Sequence, residues 1–303
     1  MVARQGDSLI GAFGAVYTNL QYKNVNHDTA YLLDLKVDPE HRRSTVAFRV
    51  VKETVGHLLE NGTTMAIASF LKNNEYSLIF TKSRAGIPEA KYLGDFRIFS
   101  IVPIFKKKIS KQFQIDHPTE ADIPELVKLY NAYYSKFKLA PRMTEELFRF
   151  YVNEIDGMDL DQLWVARKNG IIKAVLCAFK EDNYKQWFVN RMTRTMKFLS
   201  FLLRVFGLIL KMPAPLRENN PFSHISLVLG AHDECLDGMK DLLRSINNFY
   251  RGKEYTILQT HFHIEDPVNQ ALEGLQGFTV HVEAHMFTED PDLARQIAED
   301  EGL

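Results

Sequence analysis

The residues best placed to do chemistry lie in DLKVDPEHRRSTVAFRVV, positions 34–51. A strand-like LDLKV leads through Asp38, Pro39 and Glu40 into a loop holding Arg42 and Arg43, and a helix is predicted to begin near Val46. A helix N-terminus offers backbone N–H groups and the positive end of the helix dipole, so a phosphate could rest there with both arginines beside it. The same residues also make an ordinary helix start, and the loop alone leaves cofactor cradle and structural turn both open. A second group, His261, His263, Glu265 and Asp266, puts two imidazoles on one face of a predicted strand, as a metal site would. A third ligand and an open position cannot be named, and His281 and His285 fall on another predicted strand. The expectation is a cross-strand polar cluster with no metal.

The elements that must position the first group follow from periodicity. Residues 8–22 and 29–37 read as a hairpin with its polar turn over Asn24 to Asp28. Val46, Val50, Val51, Val55, Leu58 and Leu59 recur at helical spacing, Asn61-Gly62 supplies the stop, and residues 64–71 form the next strand. Strand, loop, helix, strand with short connections suits a right-handed crossover. The order returns downstream: strand 224–230, a helix carrying Leu236, Met239, Leu242, Leu243, Ile246 and Phe249, a stop at Gly252, and strand 255–262. Gly62 and Gly252 lie 190 residues apart, and Asn74 and Asp266 lie 192 apart. Two diverged copies of one α/β unit are expected, residues 1–108 and 109–303, with the basic run KKKISKQ (106–112) as a solvated linker. The second copy opens with a strand and two helices before its hairpin; the first opens directly on its hairpin.

At this point the chain resembles the GNAT superfamily of acyl-CoA-dependent N-acyltransferases, whose motif runs from the strand through Arg/Gln-x-x-Gly-x-Gly/Ala into the helix. The matching residues are Arg42, Thr45 and Ala47, with Arg43 and Ser44 between. The strand after the helix, followed by Asn74 and a further helix, matches the family order, and the whole looks like a tandem GNAT group found among bacterial proteins. The resemblance implies a mixed α/β sheet fold and acyl transfer, acetyl first, from acyl-CoA to a primary amine on a small molecule or peptide. It implies that Arg42, Arg43, Ser44, Thr45, Val46 and Ala47 hold the pyrophosphate. The backbones of Leu35 and Val37 would align the pantetheine arm, and Asn74 would lie along it. A general base must accept the proton of the acceptor ammonium. Asp34 is the candidate, with a strand-end ion pair to Lys36 as the alternative. It alternates with Leu33 and Leu35 and so should point away from them.

Departures from the pattern bear on activity. Thr45 stands where the motif has glycine, and its Cβ narrows the approach of phosphate to backbone. The family's tyrosine acid is replaced by Thr81 in the first copy and Glu273 in the second, which leaves Tyr76, or Tyr92, as substitutes. In the second copy Asp233 and Glu234 occupy the phosphate loop, so no CoA is expected there. A binding or scaffold protein that kept the fold and lost turnover is therefore the rival, and a lipid-directed acyltransferase is a third reading.

Composition sets outer bounds. With 303 residues, 37 basic and 38 acidic side chains and a net charge of −1, the chain has the core of a globular protein and no overall field to draw in nucleic acid. Two cysteines cannot build a disulfide framework, which fits a reducing, cytoplasmic setting. No signal-like or membrane-spanning run is visible. The most apolar segment, residues 192–212, is predicted to be an amphipathic helix with Arg194, Lys197, Arg204 and Lys211 on one arc. It is expected to pack as an insertion, to rest on a membrane surface, or to cover a lipid-like chain. Oligomeric state is not legible.

Overall fold

The computed structural model describes residues 1–42, 44–210 and 213–300. Along the chain run β1 (Val2–Gln5), β2 (Ser8–Tyr22), β3 (Val25–Val37), α1 (Val46–Glu60), β4 (Met65–Leu71), α2 (Glu75–Leu78) and β5 (Lys91–Ile101). Next come β6 (Gln114–Asp116), α3 (Ile123–Tyr134), β7 (Ala140–Pro141), α4 (Glu145–Glu154), β8 (Leu163–Lys168), β9 (Ile171–Phe179), β10 (Trp187–Phe188) and α5 (Arg194–Leu210). Then follow β11 (Pro221–Phe222), β12 (His224–His232), α6 (Leu236–Tyr250), β13 (Ile257–His263), β14 (Gly277–Phe287) and α7 (Pro291–Glu299). The chain divides into two compact units: Met1–Phe96 with Ser135–Arg142 and His281–Leu303, and Arg97–Tyr134 with Met143–Val280. The division falls at residue 96 rather than 108, and two later segments return to the first unit.

In the first unit the strand order is β1-β2-β3-β4-β14, with β7 against β2. The β2–β3 hairpin turns on Lys23 and Asn24 alone, both at positive φ (49° and 66°), the conformation that matches a hairpin's twist. Asn26, His27 and Asp28, expected in the turn, are therefore strand residues. The crossover forms as predicted: β3 pairs β4 in parallel across Thr29–Leu32 and Met65–Ala68. Helix α1 buries Val46, Val50, Val51, Val55 and Leu58 against this sheet and stops at Gly62 (φ 88°). Burying one such side chain is worth roughly 1.5–3 kcal/mol, so the valine stripe is the main force seating the helix. Gly11 lets the helix start come close, because a Cβ there would lie 2.9 Å from Val46 Cγ1.

In the second unit the order is β13-β12-β9-β8-β6. Strands β12 and β13 pair in parallel over His224–Leu227 and Ile257–Thr260. Met239, Leu242, Leu243, Ile246 and Tyr250 of α6 pack with Leu176, Ile225 and Leu258. Tyr250 takes the buried place expected for Phe249, which is exposed. The run 106–112 is not a solvated linker. Lys107 N–H donates to Asn248 Oδ1 at 2.7 Å, Lys107 Nζ to Gly274 O at 2.6 Å, and Ser110 N–H to the buried Asp241 carboxylate at 3.1 Å. Polar side chains of α6 and the residues after it hold a segment that the apolar pattern could not place.

Candidate functional site

The site is built where β3 and β4 part. Their ladder ends at Leu32 and Ala68, so the β4-facing edge of β3 beyond Leu32 loses its partner strand. A bulge accompanies the parting. Ala12 pairs Lys36 and Gly14 pairs Leu33, so Asp34 and Leu35 together oppose Phe13, and Asp34 sits at φ 56°. Between the strands lies a cavity of about 260 Å³ lined by Leu32–Leu35 on one side and Ala68–Leu71 on the other. Val51, Phe80 and Phe287 close it with apolar surface, while Asp34, Ser69, Asn74 and Ser77 supply polar groups. Tyr31 donates its hydroxyl proton to Ser69 Oγ at 3.1 Å, tying the strands together beside the opening.

The bulge corrects the expected geometry of Asp34. Strict alternation would turn it away from Leu33 and Leu35, yet all three line the cavity. Its carboxylate lies 4.0 Å from Lys36 Nζ, so the ion pair and the cavity-facing position occur together. Asn74 also lines the slot and stands at the N-cap of α2. Tyr76 does not line it: its side chain is 91% exposed, whereas Ser77, one residue on, faces the slot. The Thr81 hydroxyl donates to Leu78 O at 2.8 Å, and Thr81 does not line the slot.

A second recess, of about 540 Å³, opens at the N-terminus of α1. It is lined by Ser44, Thr45, Phe48, Arg49, Lys52, Arg84 and Ala85. Phe48 on its wall stacks on Phe80 of the slot, ring centroids 4.8 Å apart, so one aromatic pair stands between the two spaces. The Arg84 guanidinium lies over Phe48, 5.6 Å from the ring centroid. Lys52 crosses Gly86, where a Cβ would meet its Cε at 2.9 Å.

The loop itself is partly self-satisfied. Ser44 N–H donates to His41 O at 3.0 Å, and Val46 N–H to Ser44 Oγ at 3.2 Å. The amides of Thr45 and Phe48 make no hydrogen bond within the described residues. Val46 is buried and Ala47 half-buried against the sheet, so neither side chain is offered to a ligand, and the Val46 amide is already bonded to Ser44. Arg42 folds back, its Nε donating to Val37 O at 3.4 Å, and it does not line the recess. Arg43 lies outside the described residues. Leu35 lines the slot; Val37 pairs with Gly11 beyond it.

Sequence reading missed Arg49, Lys52 and Arg84. Thr45, Arg49 and Lys52 recur at four and three residues, one helical face turned from the valine stripe, which was a readable signal. Arg84 carried none. Beyond the slot, Lys72 Nζ holds Asp95 at 2.6 Å; this bond keeps the Asp95 carboxyl below its ordinary range and the Lys72 ammonium above its own. His285 stacks edge-on to Phe70 and Tyr92 at 5.5 and 5.6 Å, with Nε2 3.4 Å from Glu283. Among the described residues no three His, Cys, Asp or Glu side chains converge as a metal site.

Solved structures match the fold of this chain. N-myristoyltransferase of Saccharomyces cerevisiae with bound myristoyl-CoA superposes with a TM-score of 0.59 at 11% identity, over 92% of this chain and 67% of that one. A GCN5-related N-acetyltransferase from Anabaena variabilis gives 0.51 at 8% identity, over 95% and 62%. The fold is GNAT-like. The yeast enzyme with myristoyl-CoA and inhibitors matches at 0.60, over 92% and 65%. The GNAT-like chain thus spans 62% to 67% of the length of these three structures. No family model and no curated protein matches the sequence.

Proposed function

We propose that the first unit binds an acyl-CoA and transfers its acyl group to a primary amine. The observation that carries this reading is the apolar slot between the parted ends of β3 and β4, next to a recess with three cations at a helix N-terminus. In this reading the slot takes the pantetheine arm and acyl group, with Leu35 and Asn74 along it. Thr45 and Phe48 amides, with Arg49, Lys52 and Arg84, meet the phosphates. The amine nitrogen, after losing one proton to Asp34, attacks the thioester carbon and the C–S bond breaks; the nitrogen's second proton passes through solvent to the departing CoA thiolate, leaving a neutral amide and free CoA thiol. Holding the two reactants in one slot supplies the proximity term.

The second unit is read as a diverged copy without CoA. Helices α1 and α6 both have 15 residues. Each follows a strand with a four-residue parallel ladder and a positive-φ residue two positions beyond it, Asp34 and Leu229. Leu229 offers no base, and Asp233 at the second loop pairs with Lys173 at 2.6 Å.

Binding without turnover is the second reading, favoured by the exposure of Tyr76, which leaves no tyrosine acid lining the slot among the described residues. Titration calorimetry with CoA and acyl-CoAs of increasing chain length tests binding. Release of free thiol in the presence of an amine panel tests transfer. No heat with any acyl-CoA refutes both readings; heat without thiol leaves only the second.

A further inference from the structure

In α5 the packed face and the outer face carry different chemistry. Ser200 and Leu203 are buried, and Ser200 Oγ donates to Leu216 O at 2.5 Å, fixing the helix on the segment that follows it. The start is fixed as well: Met192 N–H donates to Glu218 Oε1 at 2.6 Å, and Lys197 pairs with Glu218 at 3.1 Å. The opposite face is apolar and open to solvent: Phe198, Phe201, Val205 and Phe206 are 63%, 57%, 48% and 44% exposed. Spacings of three and four residues put these side chains on one side of the helix. Arg194, Lys197 and Arg204 are exposed along its flank, and the helix contains no Asp or Glu.

We propose that this face lies flat on an anionic lipid bilayer, with the phenylalanines in the acyl boundary and the guanidinium groups of Arg194 and Arg204 at the headgroups. Charge selects the occupant. A second copy of the chain would bring one basic flank against another, whereas an anionic surface accepts both the apolar face and its border. Crossing is excluded for this element, since no helix among the described residues is long and apolar enough to span a membrane. The inference concerns α5 alone and holds whether or not the first unit transfers an acyl group.

The test is co-sedimentation of the full chain with vesicles of phosphatidylcholine alone or mixed with phosphatidylglycerol, at low and high salt. The expected result is pelleting with the anionic vesicles only, weakened by salt. Arg194→Glu with Arg204→Glu should reduce it by about fivefold or more per residue. A Phe198→Trp reporter should shift its emission to the blue on those vesicles, and a Phe201→Asp variant should not pellet while keeping the parent circular dichroism. Three outcomes overturn the proposal: no pelleting, equal pelleting of the charge-reversed variant, or concentration-dependent dimerisation abolished by Phe201→Asp without vesicle binding.

Discussion

Replacing Arg49 and Arg84 by alanine tests the recess most directly. Both side chains line it and are exposed to water, so a phosphate contact there acts in a high effective dielectric. At about 4 Å two unit charges are worth about 1 kcal/mol in water and about 4 at an intermediate dielectric; exposure places these near the lower figure. Each arginine then contributes about 1 kcal/mol, about fivefold in Kd. Arg84 should lie at the upper end, because its stacking on Phe48 already fixes the guanidinium. The double variant should bind CoA about 25-fold more weakly if the two act independently. Calorimetry at about 50 and 300 mM salt should also show a shallower salt dependence, since two cations fewer face the phosphates. Affinity within twofold of the parent, with unchanged circular dichroism, would refute the assignment of the recess to phosphates.

Three further outcomes are expected. Asp34→Asn should leave acyl-CoA affinity unchanged and lower amine-dependent thiol release by about 100-fold or more, the usual worth of a general base; full activity would remove Asp34 from the mechanism. Gly277→Ala should destabilise by about 1–3 kcal/mol in urea titration, because its Cβ would stand 2.3 Å from Ser100 O; an unchanged midpoint would mean the backbone yields freely. The Lys72–Asp95 bond should stabilise between two limits. A carboxyl held below its ordinary value contributes fully above about pH 5 and loses that contribution as pH falls through 3.8 and then the lower folded value. A raised ammonium contributes fully below its ordinary 10.5 and loses it as pH rises through the higher folded value. Asp95→Asn should therefore cost stability at neutral pH and converge with the parent as pH falls below the lowered folded value, checked by urea midpoints across pH.

What the sequence made legible was the part fixed by periodicity and turn chemistry. The valine stripe of α1, the stop at Gly62 and the crossover to β4 all follow from apolar spacing and one αL residue. So did the position of Asn74 beside the slot. The bulge at Asp34 was not legible, because it is set by a register slip against β2 rather than by the residue's own preference. Ser77 takes the slot-facing place expected of Tyr76 for a similar reason: which residue of a short helix faces inward depends on the entry angle of the chain. Arg84 reaches the recess from a loop with no period, and the docked run 104–112 is held by single polar contacts that leave no pattern.

The return of β14 to the first unit has a consequence for how that unit comes to exist. Residues Val282–Phe287 pair with Leu71–Ala66, a contact spanning about 200 residues of chain. During synthesis the strand beside the slot must wait, with one edge bare, until most of the polypeptide has left the ribosome. Closing so long a loop is slow, and a bare edge invites pairing with another nascent chain. The ordering of the N-terminal cavity is therefore a late event in folding, and fragments ending before residue 281 should be recovered as aggregates rather than as a small ligand-binding domain.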